Sequence, residues 1–237
     1  MKVLSFALLI GVLAATSITR AADITGTITL TGTPPAEVPY TPLMNDPTCG
    51  PLHKTTPTTH FYVVGPNGEF GDVEVYLEDA NGQEITGKST GASAPPALLD
   101  QKGCLYVPQL LMIQTGQKLM VKNSDPCVHN VHTTSTAGNP EHNDVQMPNG
   151  PALTYTFPKP EMFMQFKCDI HPWMFAWVSI FDNPYYAISG SDGKFVIKDV
   201  PPGKYTIVAD HRKLGKQTQT VDVADKNVSV NFTFHVK

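Results

Sequence analysis

Three stretches of this chain alternate apolar and polar residues with a period of two. In ITGTITLT, Ile24, Gly26, Ile28 and Leu30 alternate with threonines. In DVEVYLE, Val73, Val75 and Leu77 alternate with Glu74, Tyr76 and Glu78. In VSVNFTFH, Val228, Val230, Phe232 and Phe234 alternate with Ser229, Asn231, Thr233 and His235. An extended backbone sends successive side chains to opposite faces, so this pattern predicts antiparallel strands with one face on a core and one in water. No stretch beyond the first two dozen residues carries a 3.6-residue apolar stripe. Turn signals divide the chain at PNG (66–68), NG (81–82), PNG (148–150), DG (192–193) and PPG (201–203). Residues 89–96 read as a small-residue loop and 133–151 as a long polar loop that serves function or covers a sheet edge. The expected class is all-β.

The opening residues, MKVLSFALLIGVLAATSITRAAD, follow a different logic. Lys2, an apolar run from Val3 to about Ala15 and small residues around Ala21 and Ala22 read as a secretory leader over residues 1–21. The run is shorter than the roughly 20 residues a membrane span needs. The expected product is periplasmic or extracellular, with no membrane span after leader cleavage. Setting aside Lys2 and Arg20, 15 basic residues face 21 acidic ones, a net charge of −6. That balance argues against nucleic acid as a partner.

Chemistry concentrates in FMQFKCDIHPWMFAWVSIF, residues 163–181. On an extended strand Met164, Phe166 and Cys168 share a face, so the cysteine points inward at the strand's end. Residues 169–173 form a short loop stiffened by Pro172. Met174, Ala176, Val178 and Ile180 then face inward on the returning strand. Upstream, GQKLMVKNSDPCVHNVHTT (116–134) reads as a strand with Leu119 and Val121 inward, a turn over 123–126, and His129. If His129 reaches the same rim, the set is His129, Cys168, His171 and Met174. Two imidazoles, a thiolate and a weak axial thioether are the donors of a type 1 copper site, which compromises between Cu(I) and Cu(II) preferences and suits electron transfer.

At these residues the chain resembles the cupredoxins, the plastocyanin and amicyanin group. CDIHPWM is similar to the short amicyanin-type ligand loop C-x2-H-x2-M, and NSDPCVHNVH to the family's Asn-turn-His-Asn-Val segment. The likeness covers residues 100–182 and extends to exported bacterial proteins that join such a domain to a regulatory-like β module. It implies a Greek-key β-sandwich holding one copper ion on His129, Cys168, His171 and Met174. Asn130 would tie the two ligand loops together. His171, Pro172 and Trp173 would form the electron exit toward a redox partner protein, a cytochrome or an oxidoreductase.

The C-terminal stretch SGSDGKFVIKDVPPGKYTIVADHRKLGKQTQTVDV resembles the carboxypeptidase-regulatory or transthyretin-like sandwich, in which a DGxF turn precedes a PPGxYT turn. The expected organisation is a leader (1–21), a cupredoxin-like copper domain (22–183) and a carboxypeptidase-regulatory-like β module (184–237). Such modules start on a G-x-I/V strand, which ITGTITLTG supplies. The N-terminal strand therefore either packs with the C-terminal module or edges the copper domain.

Exported chains pair their cysteines. Cys49 and Cys104 flank the first strands of the expected copper domain and form the natural disulfide, which reserves Cys168 as thiolate. Cys127 departs from the family segment. It is either an inert buried thiol or a partner that oxidises onto Cys168 when metal is absent. His132 should face away from His129, while His53, His60, His142, His211 and His235 read as surface or loop residues.

Three functions compete. The leading one is periplasmic blue-copper electron transfer without enzymatic activity, since no nucleophile motif or second cofactor loop is visible. The second is copper sequestration or delivery through the same ligands. The third is a zinc-stabilised binding module using His129, His132, Cys168 and His171. Phe175, Trp177 and Phe181, on the outer face of the returning strand, are expected to pack against the C-terminal module or to form an exposed partner patch.

Overall fold

A computed structural model describes residues 20–236. The apolar run of the expected leader lies outside the described residues. Strands dominate the rest, interrupted by one helical turn at Thr41–Asn45 and 3-10 turns at Gly50–Leu52 and Gly91–Ser93. No helix among the described residues is long and apolar enough to cross a membrane. The all-β class expected from the alternation is the class observed.

The strands form two sandwiches. In the first, a five-stranded sheet runs in the order Asn143–Gln146, His129–Thr134, Glu161–Lys167, Phe175–Phe181 and Leu110–Gln114. It packs on a four-stranded sheet ordered Leu153–Tyr155, Leu119–Asn123, Ala97–Gln101 and Tyr106–Val107. Leu99, Tyr106, Ile113, Phe157, Phe166 and Val178 lie fully buried between them. Met164, Phe166 and Cys168 on one strand, and Ala176, Val178 and Ile180 on the next, all point into this core, as period two requires.

The second sandwich gathers both ends of the chain. Ala22–Thr31 pairs antiparallel with Lys194–Val200 and parallel with Val228–Ser229 and Phe232–His235. Against that sheet packs another, ordered Tyr186–Ile188, Glu74–Glu78, Gly203–His211 and Gly215–Val223. Ile24, Ile28, Phe70, Val75, Ile207 and Phe234 form its core. The packing therefore does not divide at residue 183. Ala22–Thr31 and Glu74–Glu78 precede the first sandwich's strands in sequence yet belong to the C-terminal one, because their apolar residues complete its core.

Further expectations change for tertiary reasons. Residues 133–151 are not simply a loop: Asn143–Gln146 forms an edge strand pairing with His129–Thr134, with Gln146 opposite His129. DVEVYLE has no wet face, since Glu74 and Tyr76 are as buried as Val75 and Leu77. Its second face meets the other sandwich, where Tyr76 and Val208 pack against Met112 and Phe181. Phe181 contacts Tyr76 and Tyr186, and the Arg212 guanidinium lies 3.4 Å from the Trp177 ring centroid. Phe175 instead stacks on Phe61 and meets Tyr40 edge-on, so it packs against the chain leading into the sandwiches. His211, expected at the surface, is buried, with Nε2 2.9 Å from the Phe61 carbonyl, and burial pushes its pKa down to about 4.

Glu74 carries the electrostatic cost of this junction. It is fully buried, and the Ser179 hydroxyl across the interface closes no hydrogen bond of ordinary geometry with it. Burial pushes its carboxyl up to about 8. Ser179 and Lys216 oppose the rise and Asp210 adds to it. A carboxyl raised from 4.5 to about 8 contributes stability that is complete below 4.5 and is lost as pH climbs through 8. At pH 7 the loss is about 3 kcal/mol. Melting temperatures of the wild type and Glu74→Gln measured from about pH 5 to 9 should differ in slope. The wild type is expected to lose stability relative to the variant across that range; parallel curves would contradict a buried protonated Glu74.

Candidate metal centre

The site sits where the turn before His129–Thr134 meets the loop joining Glu161–Lys167 to Phe175–Phe181. These strands are neighbours in one sheet, with Lys167 opposite both His132 and Phe175. Sheet pairing thus delivers His129 and Cys168 to the same rim. The loop is closed by its own backbone: the Cys168 N–H donates to the Met174 carbonyl (3.2 Å) and the Met174 N–H to the His171 carbonyl (2.8 Å). Pro172 stiffens that turn.

Three expected ligands converge. The ligand atoms of His129, Cys168 and His171 lie within 4.8 Å of one another, all in buried residues. The two Nδ1 atoms are 2.9 Å apart, and Cys168 Sγ is 3.7 Å from His171 Nδ1. A metal with bonds of about 2 Å to two imidazole nitrogens separates them by roughly 3 to 3.5 Å, so little adjustment admits it. Met174, fully buried, borders the same hollow as Cys168 at the sheet's end.

Asp125, which spacing did not single out, holds His129. Its carboxylate accepts the His129 Nε2–H (3.0 Å) and the backbone N–H groups of Gly103 (2.6 Å) and Cys104 (2.7 Å). Gly103 and Cys104 both have positive φ (67° and 52°), which turns successive N–H groups toward one anion. With its proton committed to Asp125, His129 presents the Nδ1 lone pair to the centre, as a metal-binding imidazole must. The available signal was an acid four residues before a histidine in one turn, NSDPCVH.

Asn130 spans the two loops. Its Oδ1 accepts the Asp169 N–H (2.7 Å), its Nδ2 reaches Asn143 Oδ1 (2.7 Å), and its backbone N–H lies 3.5 Å from Cys168 Sγ. Burial pushes the Cys168 thiol up, but His129 and the N–H groups of Asn130, His171 and Ile170 outweigh that and hold it below its usual value. Burial and the neighbouring His129 lower His171, against Asp46 and Asp125.

His132 does not join the cluster. Its Nδ1 pairs with Asp169 Oδ2 at 2.6 Å, so the zinc set with both His129 and His132 is not assembled. The expected Cys49–Cys104 disulfide is present. The sulfur that Cys127 touches is Cys104 (3.7 Å), with His129 Nε2 3.6 Å away; Cys168 is not its contact. His171, expected as an exposed exit, is only 6% exposed. Trp173 is half-buried, its ring against His171 and its Nε1–H donated to the Cys104 carbonyl. The accessible residues of this loop include Ile170 and Pro172.

Residues 185–237 match the family described as "BOS complex subunit NOMO1-like, second beta sandwich domain". No curated protein matches the chain in sequence. Among solved structures, it is similar to a Cu-containing nitrite reductase (NirK) from Thermus scotoductus SA-01, with 20% identity and a TM-score of 0.35 over 44% of this chain. The match spans 27% of that reductase's length. A purple cupredoxin from Nitrosopumilus maritimus is 19% identical over 35% of this chain and 98% of its own, with a TM-score of 0.31. A mutant of amicyanin in its Cu(I) form is 16% identical over 45% and 97%, with a TM-score of 0.33.

The Asp125 contact leads to a measurable expectation. Asp125→Asn keeps the shape but removes the charge that orients His129, and should weaken Cu(I) binding about 10- to 100-fold in competition with a chromogenic chelator. Unchanged affinity would show that His129 is held by packing alone.

Proposed function

We propose that this chain is an exported copper-binding protein that carries electrons and catalyses no reaction. His129, Cys168, His171 and Met174 would hold the metal. What supports the reading is the convergence of two imidazole Nδ1 atoms and a buried cysteine sulfur at one sheet rim. The donor types carry the choice of metal: soft sulfur favours Cu(I) and imidazole accepts Cu(II), so a bound copper would exchange a single electron.

Each protein group has a separate task. Asp125 fixes the His129 tautomer, and Asn130 locks the ligand loop to the neighbouring strand. The N–H donors around Sγ favour thiolate over thiol. Burial keeps water from the donors and limits how far they relax, which serves a site that must change oxidation state without rearranging. The redox partner would be a protein docking at the ligand-loop end, around Ile170 and Pro172 beside His171 and Trp173.

Burial of His171 also favours a second reading, copper sequestration or delivery, because a covered ligand slows outer-sphere contact with a partner. Cu(II) added to the metal-free protein should produce an intense visible charge-transfer absorption. Cys168→Ser should abolish it, whereas His132→Ala should leave it intact. Absence of the band in the wild type would remove the type 1 reading. Given the band, fast electron self-exchange separates carrying electrons from storing copper.

A further inference from the structure

Beside the metal centre lies a group of sulfurs that copper binding does not use. Cys49 and Cys104 form the disulfide, and both are fully buried. Cys127 is a free, half-buried thiol whose Sγ lies 3.7 Å from Cys104 Sγ. The three sulfurs and one ring nitrogen of His171 are all within 4.8 Å of one another. A third sulfur in van der Waals contact with a disulfide sulfur is within reach of thiol–disulfide exchange. Because Cys127 Sγ also lies within 4.8 Å of Cys49 Sγ, it approaches from the side and must turn into line with the Cys49–Cys104 bond before displacement.

The two possible connectivities tie down different parts of the molecule. Cys49–Cys104 staples the segment Thr41–Leu52 to the metal sandwich, where Leu43 and Cys49 join its core beside His171. The residues just outside that segment add polar contacts on either side of it: Tyr40 Oη with Gln109 Nε2 (3.4 Å) and His53 Nε2 with the Gly103 carbonyl (2.7 Å). A Cys104–Cys127 bridge would release the segment and pin the turn two residues before His129.

We infer that Cys49, Cys104 and Cys127 form an internal exchange site that latches the segment Thr41–Leu52 over the metal centre. Cys127 Sγ attacks Cys104 Sγ, so the Cys104–Cys127 bond forms as the Cys49–Cys104 bond breaks. The electron pair leaves on Cys49 Sγ, which ends with the proton that Cys127 gave up. Nothing is oxidised or reduced overall, so no co-reactant is required. Cys49–Cys104 is the bond the structure holds, with Cys127 as the free thiol. The latch stands on the sulfur positions and is independent of whether the centre takes copper.

The test is disulfide mapping of the full chain without added metal, quenched in acid and alkylated before digestion. Wild type should give Cys49–Cys104 together with a population carrying alkylated Cys49 and a Cys104–Cys127 bridge; Cys127→Ser should give Cys49–Cys104 alone. Cys127 alkylated in every wild-type molecule, or bridged to Cys168 instead, would overturn the proposal. As a second readout, amide hydrogen exchange in Thr41–Leu52 should quicken about tenfold or more in Cys49→Ala, because the staple is gone. Unchanged exchange there would show that the disulfide latches nothing.

Discussion

The Asp125 carboxylate is the contact on which the rim depends. It accepts N–H groups from Gly103 and Cys104 on one turn and from His129 on another, so one buried anion joins the disulfide turn to the metal turn. Charge-assisted hydrogen bonds of this kind are roughly twice as strong as neutral ones, and removing the acceptor strands several buried donors at once. Orientation of His129 follows from it. So does the height at which Cys104, and with it Cys49, sits beside His171.

Around that anchor the chemistry is set by sheet neighbours. His129–Thr134 and Glu161–Lys167 are paired strands, so the side chains at their ends share a rim without any long-range search. Asn130 then converts adjacency into a fixed loop geometry through the Asp169 N–H. Burial alone would push the Cys168 thiol up; donors aimed at its sulfur outweigh burial and lower it. Each group acts on the protonation or orientation of another, which is how outlying residues tune the donors at a rim of this kind.

The second sandwich bears on the first through a mixed junction. Tyr76, Val208, Met112 and Phe181 supply apolar contact, while Glu74 and Asp210 bring carboxyls into the same layer. Burial raises both acids. A junction built this way resists dissociation mainly by apolar area and is weakened where its acids ionise.

Period-two alternation in ITGTITLT and VSVNFTFH was enough to establish strands and their core faces, since side-chain direction in an extended chain is a local property. The spacing of CDIHPWM likewise anticipated that Cys168 and His171 come together, because a seven-residue loop between paired strands leaves its side chains few places to go. Long-range partners were not legible in the same way. Nothing local marks DVEVYLE as a strand pressed between two sandwiches, or residues 143–146 as the edge beside His129. Nor does spacing reveal that a disulfide 55 residues long in loop would cover His171 and lie against Cys127. Those facts depend on which surfaces meet when two cores bury their apolar faces, a competition among distant segments that only the folded chain resolves.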